Sequence, residues 1–315
     1  PLVTIGAGSA VGLVLGPPIS KFMTMLGEMI NWGTEQQPFL MGIIVAVLMG
    51  VFLTLPISSA AIGVMLQLDG IVAGAAVGFH YINKAMHKDI CMIAHRGHSA
   101  KHPDNTEASF LSAVANGSGG IETDVRVTKD GVFVVNHNDE AKFVDGTELL
   151  VAEATYEELS QKPLLNKKSD EVVYICTFER YLEICRDAGM ICFIELKGEF
   201  TDEQIHDLFT MAGEIYDLSK CQLQSFEFEN LVKAHEAFPD LQIMLTYGKN
   251  CGDYHKCIDH GFDIDAEYKV ATPKMVKEFH DKGLKVGLWT ANDLFSLNFC
   301  RALGVDYIES DIYGG

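Results

Sequence analysis

Charge is nearly missing from the first 88 residues, where Lys21, Glu28, Glu35, Asp69, Lys84 and Lys88 are the whole of it. Those six cancel, so the net charge of −19 falls entirely after Lys88. Cysteine is missing from the same stretch, and all eight cysteines lie between Cys91 and Cys300. Basic residues are scarce overall, 24 against 43 acidic ones. So acidic a body repels nucleic acid and anionic headgroups at long range; it argues against nucleic-acid binding and requires local cations to capture any anionic substrate. A chain of 315 residues, 48% of them hydrophobic, can bury a full core without disulfides. Its cysteines, several within apolar runs such as Ile191 to Leu196, read as buried thiols in a reducing compartment.

What the first 88 residues do have is apolar length. Gln36 to Leu68 is uncharged, and Phe39 to Leu55 reads FLMGIIVAVLMGVFLTL, close to the roughly 20 residues a membrane helix needs once flanks are added. Ala60 to Tyr81 is a second candidate, apolar apart from Asp69, which a turn between shorter helices would accommodate. Gly12 and Gly16, then Gly70, Gly74 and Gly78, fall four apart, a spacing that lets helix backbones approach closely in a bilayer. The expectation is an α-helical transmembrane region over 1–88. Lys84 and Lys88 at its exit favour a cytoplasmic position for the chain beyond them. The stretch TEQQPFLMGIIVAVLMGVFLTLPISSAAIG resembles the membrane-spanning IIC component of phosphotransferase-system sugar transporters over about Pro1 to Gly78.

From Asp89 the pattern changes to short apolar runs alternating with helical segments. The runs are Ile90 to Ala94, Gly120 to Val127, Ile191 to Leu196, Cys221 to Gln224, Gln242 to Thr246, Phe262 to Glu267, Lys285 to Trp289 and Asp306 to Glu309. Eight such runs predict an α/β fold, a closed (β/α)8 TIM barrel occupying 89–315. Helices are expected at Thr106 to Asn116, Asp202 to Tyr216, Glu229 to Phe238, Pro273 to Lys282 and Asp293 to Leu303, with Gly189, Gly283 and Gly304 as stops. Gly131 to Lys168 is too long for a loop and predicts an insertion after strand 2, a hairpin plus a short helix beside the barrel mouth.

The strand ends carry the chemistry. In a strand, residues two apart share a face, so Glu122 and Asp124 point together into the barrel and Glu195 and Lys197 repeat the arrangement one strand on. Three converging carboxylates raise one another's pKa unless a cation joins them, and an all-oxygen set selects Mg²⁺ or Ca²⁺ over zinc. The competing reading is an ion-pair network with Lys197 and Arg96. His95 ends the first strand and His137 ends the strand inside the insertion, so both can overlook one phosphate, and an imidazole pair suits acid–base work. Arg96 can clasp phosphate oxygens bidentately, and Lys197 supplies a point charge. Cys251, His255, Cys257 and His260 lack zinc-ligand spacing and read as packing.

The segments AHRGHSAKHPDNTEASF, IETDV, VVNHND, FIELK, LQSF, GLWTAN and GVDYIESD, in that order, resemble the glycerophosphodiester phosphodiesterase family over Ile90 to Gly315. That resemblance implies acid–base roles for His95 and His137, metal ligation by Glu122, Asp124 and Glu195, and phosphate-side roles for Arg96 and Lys197. It places Asn105, Phe226 and Trp289 near the substrate. The chain departs from the family in Asp104, where a glutamate is usual, and in Asn138, where an aspartate follows the histidine; Asp139 is the nearest substitute. The implied activity is metal-dependent hydrolysis of glycerophosphodiesters to sn-glycerol 3-phosphate and an alcohol, by an enzyme tethered to the cell membrane through its N-terminal helices. Alternatives are phospholipase D-like hydrolysis of lysolipids, and a transporter component with a non-catalytic barrel.

Overall fold

A computed structural model describes residues 90–312 and, outside that span, only Met25. The chain divides into two units, 1–88 and 89–315, and the described span belongs to the second. The membrane helices expected in 1–88, with Asp69 and the spaced glycines, lie outside the described residues. No described helix is long and apolar enough to cross a membrane.

The second unit begins with β1 (Cys91–Ala94), α1 (Glu107–Ala115) and β2 (Gly120–Val127). An insertion follows: β3 (Phe133–Val135), β4 (Glu140–Lys142), β5 (Glu148–Leu150), the short α2 (Tyr156–Ser160) and β6 (Cys176–Thr177). Alternation resumes with α3 (Phe178–Ala188), β7 (Ile191–Leu196), α4 (Asp202–Ile215), β8 (Cys221–Ser225), α5 (Phe228–Ala237) and β9 (Gln242–Tyr247). It ends with α6 (His255–His260), β10 (Asp263–Glu267), α7 (Pro273–His280), β11 (Val286–Trp289), α8 (Leu294–Leu303) and β12 (Tyr307–Ser310). β1, β2 and β7 to β12 are parallel, and β1 pairs with both β2 and β12, closing a ring of eight. The expected (β/α)8 barrel is present, with each expected strand found to within a residue at either end. The insertion pairs β3 antiparallel to the end of β2, and β6 to β3.

Helix starts follow from side chains that satisfy the free N–H groups of the first turn. Thr106, Thr201 and Asp293 each form a capping box, with Ser109, Gln204 and Ser296 respectively. Thr272 caps α7, which opens on Pro273. Gly189 and Gly304 end α3 and α8 in the left-handed conformation, as expected. At α7 the cap is Asp281 instead, and Gly283 sits two residues beyond it in the turn to β11.

Two cores result from strand alternation. Outside the ring, Ile121, Val125, Ile194, Leu223, Ile264, Leu288 and Ile308 pack against the helices. Inside, Ile93, Phe193, Met244 and Tyr307 form an apolar plug, with Phe193 and Tyr307 edge to face at 5.0 Å. The register sets Asp124 opposite Glu195, two residues further along β2 and β7 than the pair Glu122 and Phe193. The plug thus fills one end of the ring interior and leaves the carboxylates at the C-terminal end, where (β/α)8 barrels carry their sites.

Candidate active site

The turn leaving β1 brings backbone to the carboxylates. Arg96 and Asn105 are both left-handed, at φ 56° and 55°, a conformation that costs a non-glycine residue energy and persists only where surroundings enforce it. Gly97 follows at φ 75°, so close to α1 that an added Cβ would meet the Ser109 carbonyl carbon at 2.6 Å. The twist aims the Arg96 N–H at Glu122 Oε2, 2.8 Å away.

Glu122, Asp124 and Glu195 come together as expected, offering three oxygens within 4.8 Å of one another. All three are buried. Lys197 Nζ lies 2.9 Å from Asp124 Oδ1 and 2.7 Å from Glu195 Oε1, and Arg96 Nε is 3.2 Å from Asp124 Oδ2. The ion-pair reading therefore accounts for Asp124 and Glu195. It does not account for Glu122, whose Oε1 is buried without a hydrogen-bond partner. Burial, then the charges of Asp124, Glu309 and Glu195, drive the Glu122 pKa well above its ordinary value. Asp124 moves the other way, because Lys197 and Arg96 outweigh its burial. An orphaned carboxylate oxygen among further carboxylate oxygens is the donor set of a hard divalent cation. A cation there would let Glu122 ionise.

Asn105, expected beside the phosphate, is 2% exposed and turned inward. Its Nδ2 donates to Asp124 Oδ2 at 2.7 Å, and its Oδ1 accepts from Thr123 Oγ1 at 2.7 Å and the Asp124 N–H at 3.1 Å. With those groups engaged, it orients Asp124. Phe226 is 41% exposed and meets Trp289 edge to face at 6.0 Å, with Lys197 Nζ 5.9 Å from the Phe226 ring. The two rings make an aromatic wall beside the ammonium.

His95 follows β1, its Nε2 4.0 Å from Glu122 Oε2 and its Nδ1 2.6 Å from Asp311 Oδ1. Asp311 also accepts from Ser99 Oγ at 2.9 Å and Asn292 Nδ2 at 2.5 Å. Burial alone would raise the Asp311 pKa; those hydrogen bonds and the His95 charge outweigh it and bring it to about 2. Asp311 is thus a carboxylate, and the His95 Nδ1–H donates to it, leaving Nε2 toward the site. His137 lies two residues past β3, its Nδ1 3.0 Å from Asn138 Oδ1. Burial, reinforced by Arg96 and Lys197 and opposed by Asp124, lowers its pKa. Arg126 braces this loop, donating from Nη2 to the His137 carbonyl at 2.7 Å and pairing with Asp139 at 2.6 Å. Asp139 consequently supports the loop through Arg126 and does not replace the carboxylate that Asn138 lacks.

Sequence reasoning gave no role to Asp311, Glu309 or Asp265. Glu309 and Asp265 project into the same interior; Glu309 accepts from Gln224 at 2.9 Å, and Asp265 Oδ1 is unpartnered. IESD repeats the alternating acids of IETDV, and that pattern was the available signal. Cys251, His255, Cys257 and His260 do not converge: His255 turns to Asp253, His260 to the Lys256 carbonyl, and Cys257 into the core.

Residues 95–313 match the model of the glycerophosphoryl diester phosphodiesterase family. The chain belongs to that family. Its enzymatic class, a phosphoric diester hydrolase, follows from the membership, and such enzymes use a divalent metal. The glycerophosphodiester phosphodiesterase of Caldanaerobacter subterraneus is 28% identical over 228 residues, spanning 70% of this chain and 93% of the relative. Human glycerophosphodiester phosphodiesterase 1 is 29% identical over 266 residues, spanning 71% and 78%. Among solved structures, a putative glycerophosphoryl diester phosphodiesterase from Silicibacter pomeroyi superposes with a TM-score of 0.65 at 24% identity, covering 71% of this chain and 90% of that one. An Oleispira antarctica phosphodiesterase, solved with the product sn-glycerol-3-phosphate, gives 0.59 at 23%, covering 70% and 92%. These likenesses bear out the barrel. Residues 1–79 match, weakly, a model of the phosphotransferase system EIIC.

Proposed function

We propose that the barrel hydrolyses glycerophosphodiesters to sn-glycerol 3-phosphate and an alcohol with one divalent cation, Mg²⁺ or Ca²⁺, held by Glu122, Asp124 and Glu195. The observation that carries this reading is the unpartnered Glu122 Oε1 among those buried carboxylates. When bound, the cation supplies charge neutralisation at the phosphate and acidifies the attacking oxygen. Arg96 and Lys197 add positive charge on the phosphate side and stabilise the transition state. His137, kept neutral by its surroundings, takes the proton from the attacking oxygen: that of water, which gives sn-glycerol 3-phosphate directly, or that of the substrate's own glycerol hydroxyl, which gives a cyclic phosphate that water then opens to sn-glycerol 3-phosphate with the two histidines exchanging roles. His95, oriented by Asp311, gives a proton to the departing alkoxide from Nε2 as the phosphorus–oxygen bond breaks. Phe226 and Trp289 form the wall against which the glycerol carbons rest.

Glycerol 3-phosphate release from glycerophosphocholine is the direct test. The full chain should show it with Mg²⁺ or Ca²⁺ and lose it with a chelator. Chelator-insensitive release would reject the cation.

We also propose that residues 1–88 fix the enzyme in the cell membrane with the barrel in the cytoplasm. The uncharged run from Gln36 to Leu68 and the lysines at 84 and 88 support this. In fractionated cells the full chain should sediment with membranes and come off with detergent. Release by high salt alone would reject the anchor.

A further inference from the structure

The barrel interior holds more negative charge than one catalytic cation and its neighbours offset. Glu122, Asp124, Glu195, Asp265 and Glu309 are each 7% exposed or less. The cations beside them, Arg96 and Lys197, reach Asp124 and Glu195. With all five acids ionised, those two side chains and one divalent ion still leave a negative charge over. Burial, then the charge of Asp265, drives the Glu309 pKa well above its ordinary value. Glu309 serves no step of the proposed hydrolysis.

Glu309 belongs to a second group of donors, with His95 and Glu122, whose ligand atoms also lie within 4.8 Å of one another. Strand register produces it. β12 runs beside β1 with Glu309 opposite Ile93, and His95 lies two residues beyond Ile93 on the same inward face. Gln224 Nε2 donates to Glu309 Oε1 at 2.9 Å and orients that carboxylate. Glu122 stands between the two groups: its buried Oε1 has no hydrogen-bond partner, and its Oε2 is 4.0 Å from His95 Nε2. Two donors about 2.1 Å from one tetrahedral ion are roughly 3.4 Å apart, so a side-chain adjustment of about 0.6 Å brings this pair into range.

The chemistry of this group differs from that of the first. Three carboxylates select a hard ion, whereas an imidazole nitrogen beside two carboxylates suits Zn²⁺. His95 is in the state such an ion requires. Its Nδ1–H donates to Asp311, which leaves the Nε2 lone pair toward the site, and a carboxylate behind the ring is the usual support of a metal-binding histidine. The same nitrogen carries the proton for the departing alkoxide. A metal and that proton exclude each other.

We propose that His95, Glu122 and Glu309 form a second metal site that takes Zn²⁺ and switches the hydrolase off by occupying the nitrogen that protonates the leaving group. The site stands on its own geometry, and the switch rests on the phosphodiesterase reading. The full chain, saturated with Mg²⁺, is titrated with Zn²⁺ by calorimetry and in the glycerophosphocholine assay. Glu309→Gln keeps the side chain's size and an acceptor for Gln224, and should weaken zinc uptake about tenfold or more. With each enzyme read against its own zinc-free rate, Zn²⁺ should silence the unaltered chain, added Mg²⁺ should not restore it, and the variant should need about tenfold more Zn²⁺ for half inhibition. His95→Gln, read by calorimetry alone, should lose zinc uptake and keep Mg²⁺ uptake, which tests the site independently of how Glu309→Gln folds. Restoration by excess Mg²⁺ would assign zinc to Glu122, Asp124 and Glu195 and overturn the proposal, as would zinc uptake unchanged in either variant. Zinc bound through Glu309 without loss of activity overturns the switch. Diester cleavage absent at every metal concentration rejects the phosphodiesterase reading and the switch with it, while zinc uptake that depends on His95 and Glu309 still supports the site.

Discussion

Glu122→Gln should abolish measurable Mg²⁺ or Ca²⁺ uptake in calorimetry and lower glycerophosphodiester turnover by roughly 10³-fold or more, several kcal/mol of lost charge stabilisation. The substitution preserves volume and the acceptor that meets the Arg96 N–H, so the turn after β1 keeps its anchor. It removes the one carboxylate of the three that no side-chain cation touches closely: Asp124 and Glu195 stay paired with Lys197, and Asp124 with Arg96. An amide no longer suffers the burial and like-charge repulsion that push up the Glu122 pKa, so the variant should resist unfolding by urea at least as well as the parent at neutral pH. Lost activity with undiminished stability marks Glu122 as a ligand. A variant that still binds the cation and still turns over would remove the basis of the mechanism.

His137→Ala should cost about 10²–10⁴-fold in kcat, the usual contribution of one positioned proton-transfer group, and should change the shape of the pH profile. The sign follows from the environment. Burial and the neighbouring Arg96 and Lys197 disfavour the imidazolium, so the working neutral base is already formed below the ordinary histidine pKa. Activity of the parent should rise with pH through a midpoint lower than that ordinary value, and the variant should lack this acidic limb. An acidic limb unchanged in His137→Ala would assign the base elsewhere. The Arg126 brace on the His137 carbonyl is a backbone contact and survives the substitution, so misfolding of the loop is not a competing explanation.

Alternation made the strands legible. Glu122, Asp124 and Glu195 stood out because charged residues recur at every second position between Ile, Val and Phe, which only a strand with one polar face explains. Two helix ends were legible through Gly189 and Gly304, which close α3 and α8 in the left-handed conformation. The partner of His95 was not. Asp311 is 216 positions away, and although IESD repeats the alternating acids of IETDV, that pattern marks a polar strand face without saying which residue meets the histidine once the ring closes. The inward turn of Asn105 was equally hidden, since it depends on a left-handed backbone that Asn tolerates but does not dictate. Charge spacing could bring the three carboxylates together; which of them Lys197 and Arg96 would neutralise depended on strand register, which period-two alternation leaves open.

The seam between β1 and β12 joins the first strand of the barrel to the last, so His95 gains its orienting carboxylate only when Asp311 has been added. On the proposed mechanism, a chain stopped short of this seam would have an open ring and an acid with no fixed tautomer, so the site would be assembled by its last strand and not by its first.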